Sequence, residues 1–310
     1  MRDGYIIVPD VFDPNLMDAA LEEVDRITYG KSFDDVLADA DRGIYQDEQN
    51  AFSGEGSPGR IQFPTGAEVL DRLIENEDYL DIFEQLIGEK PVYNNGHLFT
   101  RSGPTDKRHS EHLWQGYHVD HDTNCFLPPG REQGVYAYVN SGVYLHDVDL
   151  ECAPMHVVPG SHHQIGELIP RLIAENNWGG RTNIHDIRNV SELAEPVPTN
   201  APKGSASFYS SYLVHAAIPF QNKRKQRSFW TMSLGRASTQ AFVKFSNLYH
   251  YSEREYSNPL FTNTTPRVRS IFGWPEPGHP YYTEETLKSL EAWFPGMDLS
   301  PYRDQLGNDS

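Results

Sequence analysis

Two short triplets in this chain have the residue types and spacing for metal chemistry. In Tyr117-His118-Val119-Asp120 an imidazole and a carboxylate stand two residues apart. Alternate residues of an extended strand point to one face, so His118 and Asp120 converge while Tyr117 and Val119 turn away. Such a pair is part of a two-histidine, one-carboxylate facial set, which holds Fe(II) and leaves coordination positions open. His109-Ser110-Glu111, followed by His112, repeats the spacing. It lies in the polar run GPTDKRHSEH, which lacks strand alternation, and reads as a solvated loop. His121 and Asp122 also carry ligand chemistry, but adjacent strand residues diverge, so they cannot both join the first pair.

A third ligand would come from a distant strand, and Tyr212-Leu213-Val214-His215-Ala216 offers one. A polar ring in an apolar run needs a partner, so His215 is either a hydrogen-bonded core histidine or a ligand. Twelve residues later Arg227 opens the segment RSFWTMSL, and the intervening PFQNKRKQ is turn-like, with Gln221 at the midpoint. A hairpin across that turn would set Arg227 opposite His215, and opposed residues share a face. A guanidinium beside a metal has a use where a carboxylate must be gripped, which arginine does with two parallel hydrogen bonds.

Strands must position these residues. From about Pro91 onward, PVYNNGHLF, GYHVDHD, GVYAYVNSGVYLHDVD, MHVVPGSH, SASFYSSYLVHAAI and RSFWTMSLG are aromatic and β-branched, with Gly, Pro and Asn between them. Strands in series without intervening helices favour an antiparallel sandwich or jelly roll over a doubly wound sheet. Ahead of them, Asp13-Pro14 starts a helix whose apolar stripe is Leu16, Ala20, Val24 and Ile27. A second helix over Glu77–Ile87 carries Tyr79, Ile82, Phe83 and Leu86 on one face and ends at Gly88. Between the two, FSGEGSPGR (52–60) reads as a surface loop. After Arg236 the pattern is irregular apart from a helix at Glu284–Trp293. The expected organisation is one domain over 1–310: an N-terminal helical part (1–90), a β core (91–236) and a C-terminal extension (237–310) packed on it.

The chain has 310 residues, with 26 basic against 44 acidic side chains and a net charge of −18. Phosphate backbones are gripped by clustered Lys and Arg, and anionic membranes repel an acidic surface, so nucleic acid and membrane are excluded as partners. The two cysteines, Cys125 and Cys152, are too few for a disulfide scaffold and lack metal-finger spacing. MRDGYIIVPD is no signal peptide, and no apolar run reaches the roughly eighteen residues of a spanning helix. The expectation is a soluble, cytoplasmic protein.

His118-x-Asp120, His215 and Arg227 together resemble the pattern of the phytanoyl-CoA dioxygenase (PhyH-like) family of iron(II)/2-oxoglutarate oxygenases. Leu145-His146-Asp147 leading to Met155-His156-Val157-Val158-Pro159-Gly160-Ser161-His162 is similar to that family's strand, polar turn and VPGSH segment. The opening DGYIIVPDVFD, followed by an amphipathic helix, is similar to its N-terminus. The resemblance spans roughly residues 3–236. It implies a mainly β fold with flanking helices, built on a double-stranded β-helix (a cupin-like jelly roll). It also implies an Fe(II) site at His118, Asp120 and His215. 2-Oxoglutarate is the implied cosubstrate, its far carboxylate on Arg227, with O2 as oxidant and succinate and CO2 as products. Halogenating members lack the carboxylate ligand, so Asp120 favours hydroxylation or another oxidative outcome over halogenation; the family implies a small organic molecule as substrate, with hydroxylation the expected reaction. One departure is Cys152-Ala153-Pro154, where relatives often carry Asn-Gly in the turn.

Other motifs weigh less. Pro159-Gly160-Ser161-His162 reads as a structural turn rather than a catalytic serine, because no nucleophile-elbow sequence surrounds it. Tyr136, Tyr138 and Tyr144 read as packing residues or pocket lining, and Arg101 as an exposed arginine, with contact to a substrate or cosubstrate carboxylate as the other reading. Two other functions stay open at this stage. One is a mononuclear zinc hydrolase on a cupin-like fold, since His, His and Asp with an open position also suit zinc-bound water. The other is a non-catalytic cupin-like binding protein. Oligomeric state is not encoded in any pattern of this sequence.

Overall fold

The computed structural model describes residues 1–45, 60–103, 115–120, 138–179, 183–218, 222–238 and 254–306. In chain order its strands are β1 (Tyr5–Val8), β2 (Arg60–Gln62), β3 (Pro91–Ser102), β4 (Gln115–His118), β5 (Tyr138–Tyr144), β6 (Met155–Val157), β7 (Trp178–Gly179), β8 (Asn183–Ile184), β9 (Val197–Pro198), β10 (Ala206–Ser210), β11 (His215–Ala217) and β12 (Gln226–Arg236). They form two six-stranded sheets, ordered β1-β10-β5-β12-β3-β2 and β7-β8-β4-β11-β6-β9. Every pairing is antiparallel. From β3 to β6 and again from β9 to β12 the chain alternates between the sheets, which is the winding of a jelly roll. The segment SASFYSSYLVHAAI, expected as one strand, supplies two: β10 in the first sheet and β11 in the second.

The helices are α1 (Pro14–Tyr29), α2 (Phe33–Asp41), α3 (Glu68–Asp71), α4 (Glu77–Ile87), α5 (Ile165–Ala174), α6 (Arg254–Asn263), α7 (Pro266–Ile271), α8 (Glu284–Trp293) and α9 (Ser300–Arg303). Asp13 caps α1 by accepting from the Asn15 amide at 2.7 Å. The buried stripe of α1 runs through Met17, Ala20 and Val24, whereas Leu16, read from the sequence as part of it, is 38% exposed. The bounds of α4 are those its sequence predicts: Asn76 caps it, and Gly88 ends it at φ 79°. Helices α1 and α4 cover one face of the first sheet, where Met17, Val24, Tyr79 and Phe83 pack on Leu98, Val143, Phe208 and Trp230. Helix α5 covers the second sheet, its Ile165, Ile169 and Leu172 meeting Tyr117, Val119, Val214 and Ala216. Tyr117 and Val119 therefore do turn away from His118 and Asp120.

After Arg236 the expected helix at Glu284–Trp293 is present as α8, and α6, α7 and α9 add helices where the sequence pattern is irregular. Buried Arg269 organises this stretch, donating to the Phe261 carbonyl at 2.8 Å and reaching the Tyr302 hydroxyl at 3.3 Å. Leu260, Val268 and Ile271 join the main core, while Tyr282, Leu287 and Tyr302 form a smaller cluster. Among the described residues no helix is long and apolar enough to cross a membrane.

Candidate metal centre

His118 ends β4 and His215 opens β11, and the two are direct register partners. Their rings lie 4.3 Å apart. Asp120 follows two residues beyond His118, and one ligand atom from each of His118, Asp120 and His215 falls within 4.8 Å of the others. His118 Nε2 is 3.3 Å from Asp120 Oδ1, and His215 Nε2 is 3.3 Å from Asp120 Oδ2.

Each ring is oriented by the backbone carbonyl two residues before it. His118 Nδ1 meets the Gly116 carbonyl at 2.7 Å, and His215 Nδ1 meets the Leu213 carbonyl at 2.9 Å. A carbonyl only accepts, so Nδ1 carries the proton in the neutral ring and Nε2 keeps its lone pair. Two Nε2 lone pairs then face a carboxylate across 3.3 Å, an array of acceptors that only a proton or a cation relieves. Electrostatics follow this logic. Burial would raise the Asp120 carboxyl, but His215 and His118 outweigh it and hold it well below the usual carboxylate range. Burial would lower His215, but Asp120 outweighs it and raises the imidazole.

Further along the chain, Ser161 accepts the Val214 amide at 2.8 Å and Val158 donates to the Val214 carbonyl at 2.9 Å. The VPGSH segment is thus the structural turn the sequence predicts, clamping the residue before His215.

The hairpin expected between His215 and Arg227 does not form. Strand β11 pairs with β4 and β6, whereas β12 pairs with β3 and β5 in the other sheet. The apolar faces dictate this: Val214 and Ala216 need α5, while Trp230, Met232 and Leu234 need the core under α1 and α4. The opposed partner of Arg227 is Arg101, which is 3% exposed rather than the exposed arginine expected. Arg227 is 5% exposed and shares the inter-sheet face with Phe229, whose ring centroid is 4.7 Å from the guanidinium carbon. It donates to the Ala153 carbonyl, and its Nε has no hydrogen-bond partner among the described residues. Burial, and after it the charge of Arg101, pulls the Arg227 guanidinium down to about 9, still cationic at neutral pH.

Ala153, in the turn where relatives often carry Asn-Gly, adopts φ 51°, the left-handed conformation that favours glycine. The turn survives the departure, at the cost of an uncommon alanine conformation. Tyr144 places its ring edge-on to Phe229 at 4.8 Å, and its hydroxyl donates to Thr199. Tyr138 donates to Asn94. The rival triplet at His109 and Glu111, together with His112, His121, Asp122, Cys125, Tyr136 and Gln221, lies outside the described residues, as does most of the 52–60 loop.

Sequence reasoning missed four residues near these groups. Asn140 donates to Asp120 Oδ2 at 3.1 Å, and Ser233 donates to Asn140. The Tyr209 hydroxyl lies 3.4 Å from the same oxygen, and His146 Nε2 accepts the Ser228 amide at 2.8 Å. Asn140 carried a signal: a large polar residue inside an otherwise apolar strand.

No curated protein matches the chain in sequence. The fold is similar to solved structures. EctD from S. alaskensis in its apoform is 17% identical, with 79% of this chain and 78% of that chain covered and a TM-score of 0.54. The epimerase SnoN in complex with Fe3+, alpha ketoglutarate and nogalamycin RO is 17% identical over 81% of this chain and 86% of that one, with a TM-score of 0.52. EctD from S. alaskensis with 2-oxoglutarate and 5-hydroxyectoine gives 17%, 81% and 80%, and 0.52. Residues 1–228 match the phytanoyl-CoA dioxygenase (PhyH) family, and the chain belongs to it.

Proposed function

We propose that this iron- and 2-oxoglutarate-dependent dioxygenase holds Fe(II) on His118, Asp120 and His215 and the far carboxylate of 2-oxoglutarate on Arg227, and hydroxylates a small organic molecule. The observation that carries the reading is the acceptor array: two Nε2 lone pairs and a carboxylate converge, with both Nδ1 protons already committed to backbone carbonyls. Neutral nitrogen and carboxylate oxygen suit a divalent iron. The orphaned Nε of Arg227 and the neighbouring charge of Arg101 suit an anion. Bound Fe(II) and 2-oxoglutarate supply the activation of O2, coupled to release of succinate and CO2.

The protein's own part is positioning and exclusion of water. Asn140, Gly142 and Tyr144 share a face on β5, as do Arg227, Phe229, Thr231 and Ser233 on β12. These faces line the space between the sheets. Six residues, about 20 Å of strand, separate Arg227 from Ser233, a span shared by an extended arginine and a five-carbon dicarboxylate. Phe229 and Tyr144 wall that span with apolar rings, and a guanidinium grips a carboxylate more strongly where water is excluded. EctD with 2-oxoglutarate and SnoN with Fe3+ and alpha ketoglutarate are in keeping with this assignment.

The test is turnover of 2-oxoglutarate by purified protein with and without added Fe(II) and O2. Succinate that requires both is expected. Iron-loaded protein that neither binds 2-oxoglutarate nor forms succinate with any of a library of small molecules would overturn the proposal.

A further inference from the structure

We infer that Asn140, backed by Ser233, is a positioning residue of the metal centre: it holds the Asp120 carboxylate through Oδ2 and so fixes its orientation toward His118 and His215. The inference rests on the triad proposed above. Asp120 lies beyond the end of β4, so no ladder hydrogen bond of that strand fixes its side chain. The restraint comes from the opposite sheet. Asn140 on β5 stands between Ser233 on β12 and Tyr209 on β10, each its direct cross-strand partner. Asn140 Nδ2 donates to Asp120 Oδ2 at 3.1 Å, and the Tyr209 hydroxyl approaches the same oxygen at 3.4 Å.

The sense of the amide is determined. A carboxylate only accepts, so the NH2 end of Asn140 must face Asp120 and its oxygen must face Ser233, whose hydroxyl donates to it at 2.5 Å. Asn140 is 4% exposed, and an amide buried this deeply is costly unless both ends are satisfied. Asp120 Oδ1 faces His118 Nε2 and Oδ2 faces His215 Nε2, each at 3.3 Å, and Oδ2 also takes the Asn140 amide. The carboxylate is therefore pinned to the opposite sheet in the orientation that sets it against both imidazoles. Partners that orient a ligand in this way typically change metal affinity by about tenfold to a hundredfold.

The experiment titrates Co(II) into the full-length wild type, Asn140→Leu, Ser233→Ala and His118→Ala, following affinity and the visible spectrum of the bound ion. Asn140→Leu keeps the branched heavy-atom shape and removes the donor. A rise of about tenfold to a hundredfold in its Co(II) Kd is expected, with an altered spectrum and an unchanged Tm of the metal-free protein. Ser233→Ala should show a smaller rise, about threefold to tenfold, from one lost hydrogen bond. Wild-type affinity and spectrum in Asn140→Leu would overturn the inference. Should Asn140→Leu fail to fold, Ser233→Ala decides: weakened binding supports the inference and unchanged binding overturns it. Equal Co(II) binding by wild type and His118→Ala would overturn the triad, and this inference with it. Binding lost in His118→Ala but untouched in Asn140→Leu overturns this inference alone.

Discussion

Arg227 stands opposite Arg101 on neighbouring strands of one sheet, and His215 belongs to the other sheet. Two guanidinium charges side by side in a buried space repel one another. In the proposed assignment the far carboxylate of 2-oxoglutarate answers that repulsion, on the sheet facing the one that carries His118 and His215.

Arg227→Ala should raise the Kd for 2-oxoglutarate by about thirtyfold to several thousandfold. Truncating one partner of a buried, hydrogen-bonded charge pair costs about 2–5 kcal/mol, at about 1.4 kcal/mol per tenfold. Iron binding should persist, and Arg227→Lys should recover only part of the affinity, because lysine lacks the fork. Arg224 and Lys225, which form exposed pairs with Asp41 and Asp149, are the controls and should change affinity little. Calorimetric titration of metal-loaded variants reads all four.

Alanine at His118, Asp120 or His215 should each remove iron from the purified protein while leaving its β-rich circular dichroism intact. The loss should exceed the tenfold to hundredfold, or about 1.4–2.8 kcal/mol, typical of a residue that only orients a ligand. Metal analysis after dialysis checks this; a variant that retains iron stoichiometrically would remove that residue from the triad.

His146 should give the protein a pH-dependent stability. Burial first, and then the charge of Arg227, lowers its imidazole from 6.5 to about 4, so the folded state keeps it neutral while the unfolded chain takes up a proton. The stabilisation is complete above about pH 6.5 and is lost as pH falls through about 4, up to about 3 kcal/mol at 1.36 per unit. His146→Gln, whose amide oxygen can still accept the Ser228 amide, should flatten the dependence of Tm on pH between 4 and 6.5. An unchanged slope would show that other groups carry it.

Ala153→Gly should change stability by less than about 1 kcal/mol, because relief of the left-handed backbone offsets the flexibility gained by the unfolded chain. Ala153→Val should cost about 2–4 kcal/mol, since a β-branched residue is strained at φ 51° and the site is fully buried. The Ala153 carbonyl receives Arg227, so the valine variant should also weaken 2-oxoglutarate binding. Denaturant midpoints and a binding titration separate the two effects.

Sequence alone determined the elements that depend on near neighbours. Asp13-Pro14 and Asn76 with Gly88 set helix ends through local hydrogen bonds and φ preferences, and α4 lies where its spacing puts it. Two-residue alternation put His118 and Asp120 on one side and Tyr117 and Val119 on the other, because a strand's pleat is a property of the backbone. Of the helices after Arg236, α8 lies where the sequence put it; α7 and α9 escaped notice because they are short, and α6 because it carries an internal proline, and contacts such as those of Arg269 hold that region together.

Only the tertiary structure decided which strands face one another. Eleven residues between His215 and Arg227 suit a hairpin and a crossing between sheets equally well, since a turn-like composition states that the chain reverses but not which layer receives it. The choice fell to two separate apolar cores, one under α5 and one under α1 and α4, each claiming its own strand. The same crossing brought Arg101 to Arg227 and Asn140 to Asp120, contacts over long sequence separations that no local pattern records.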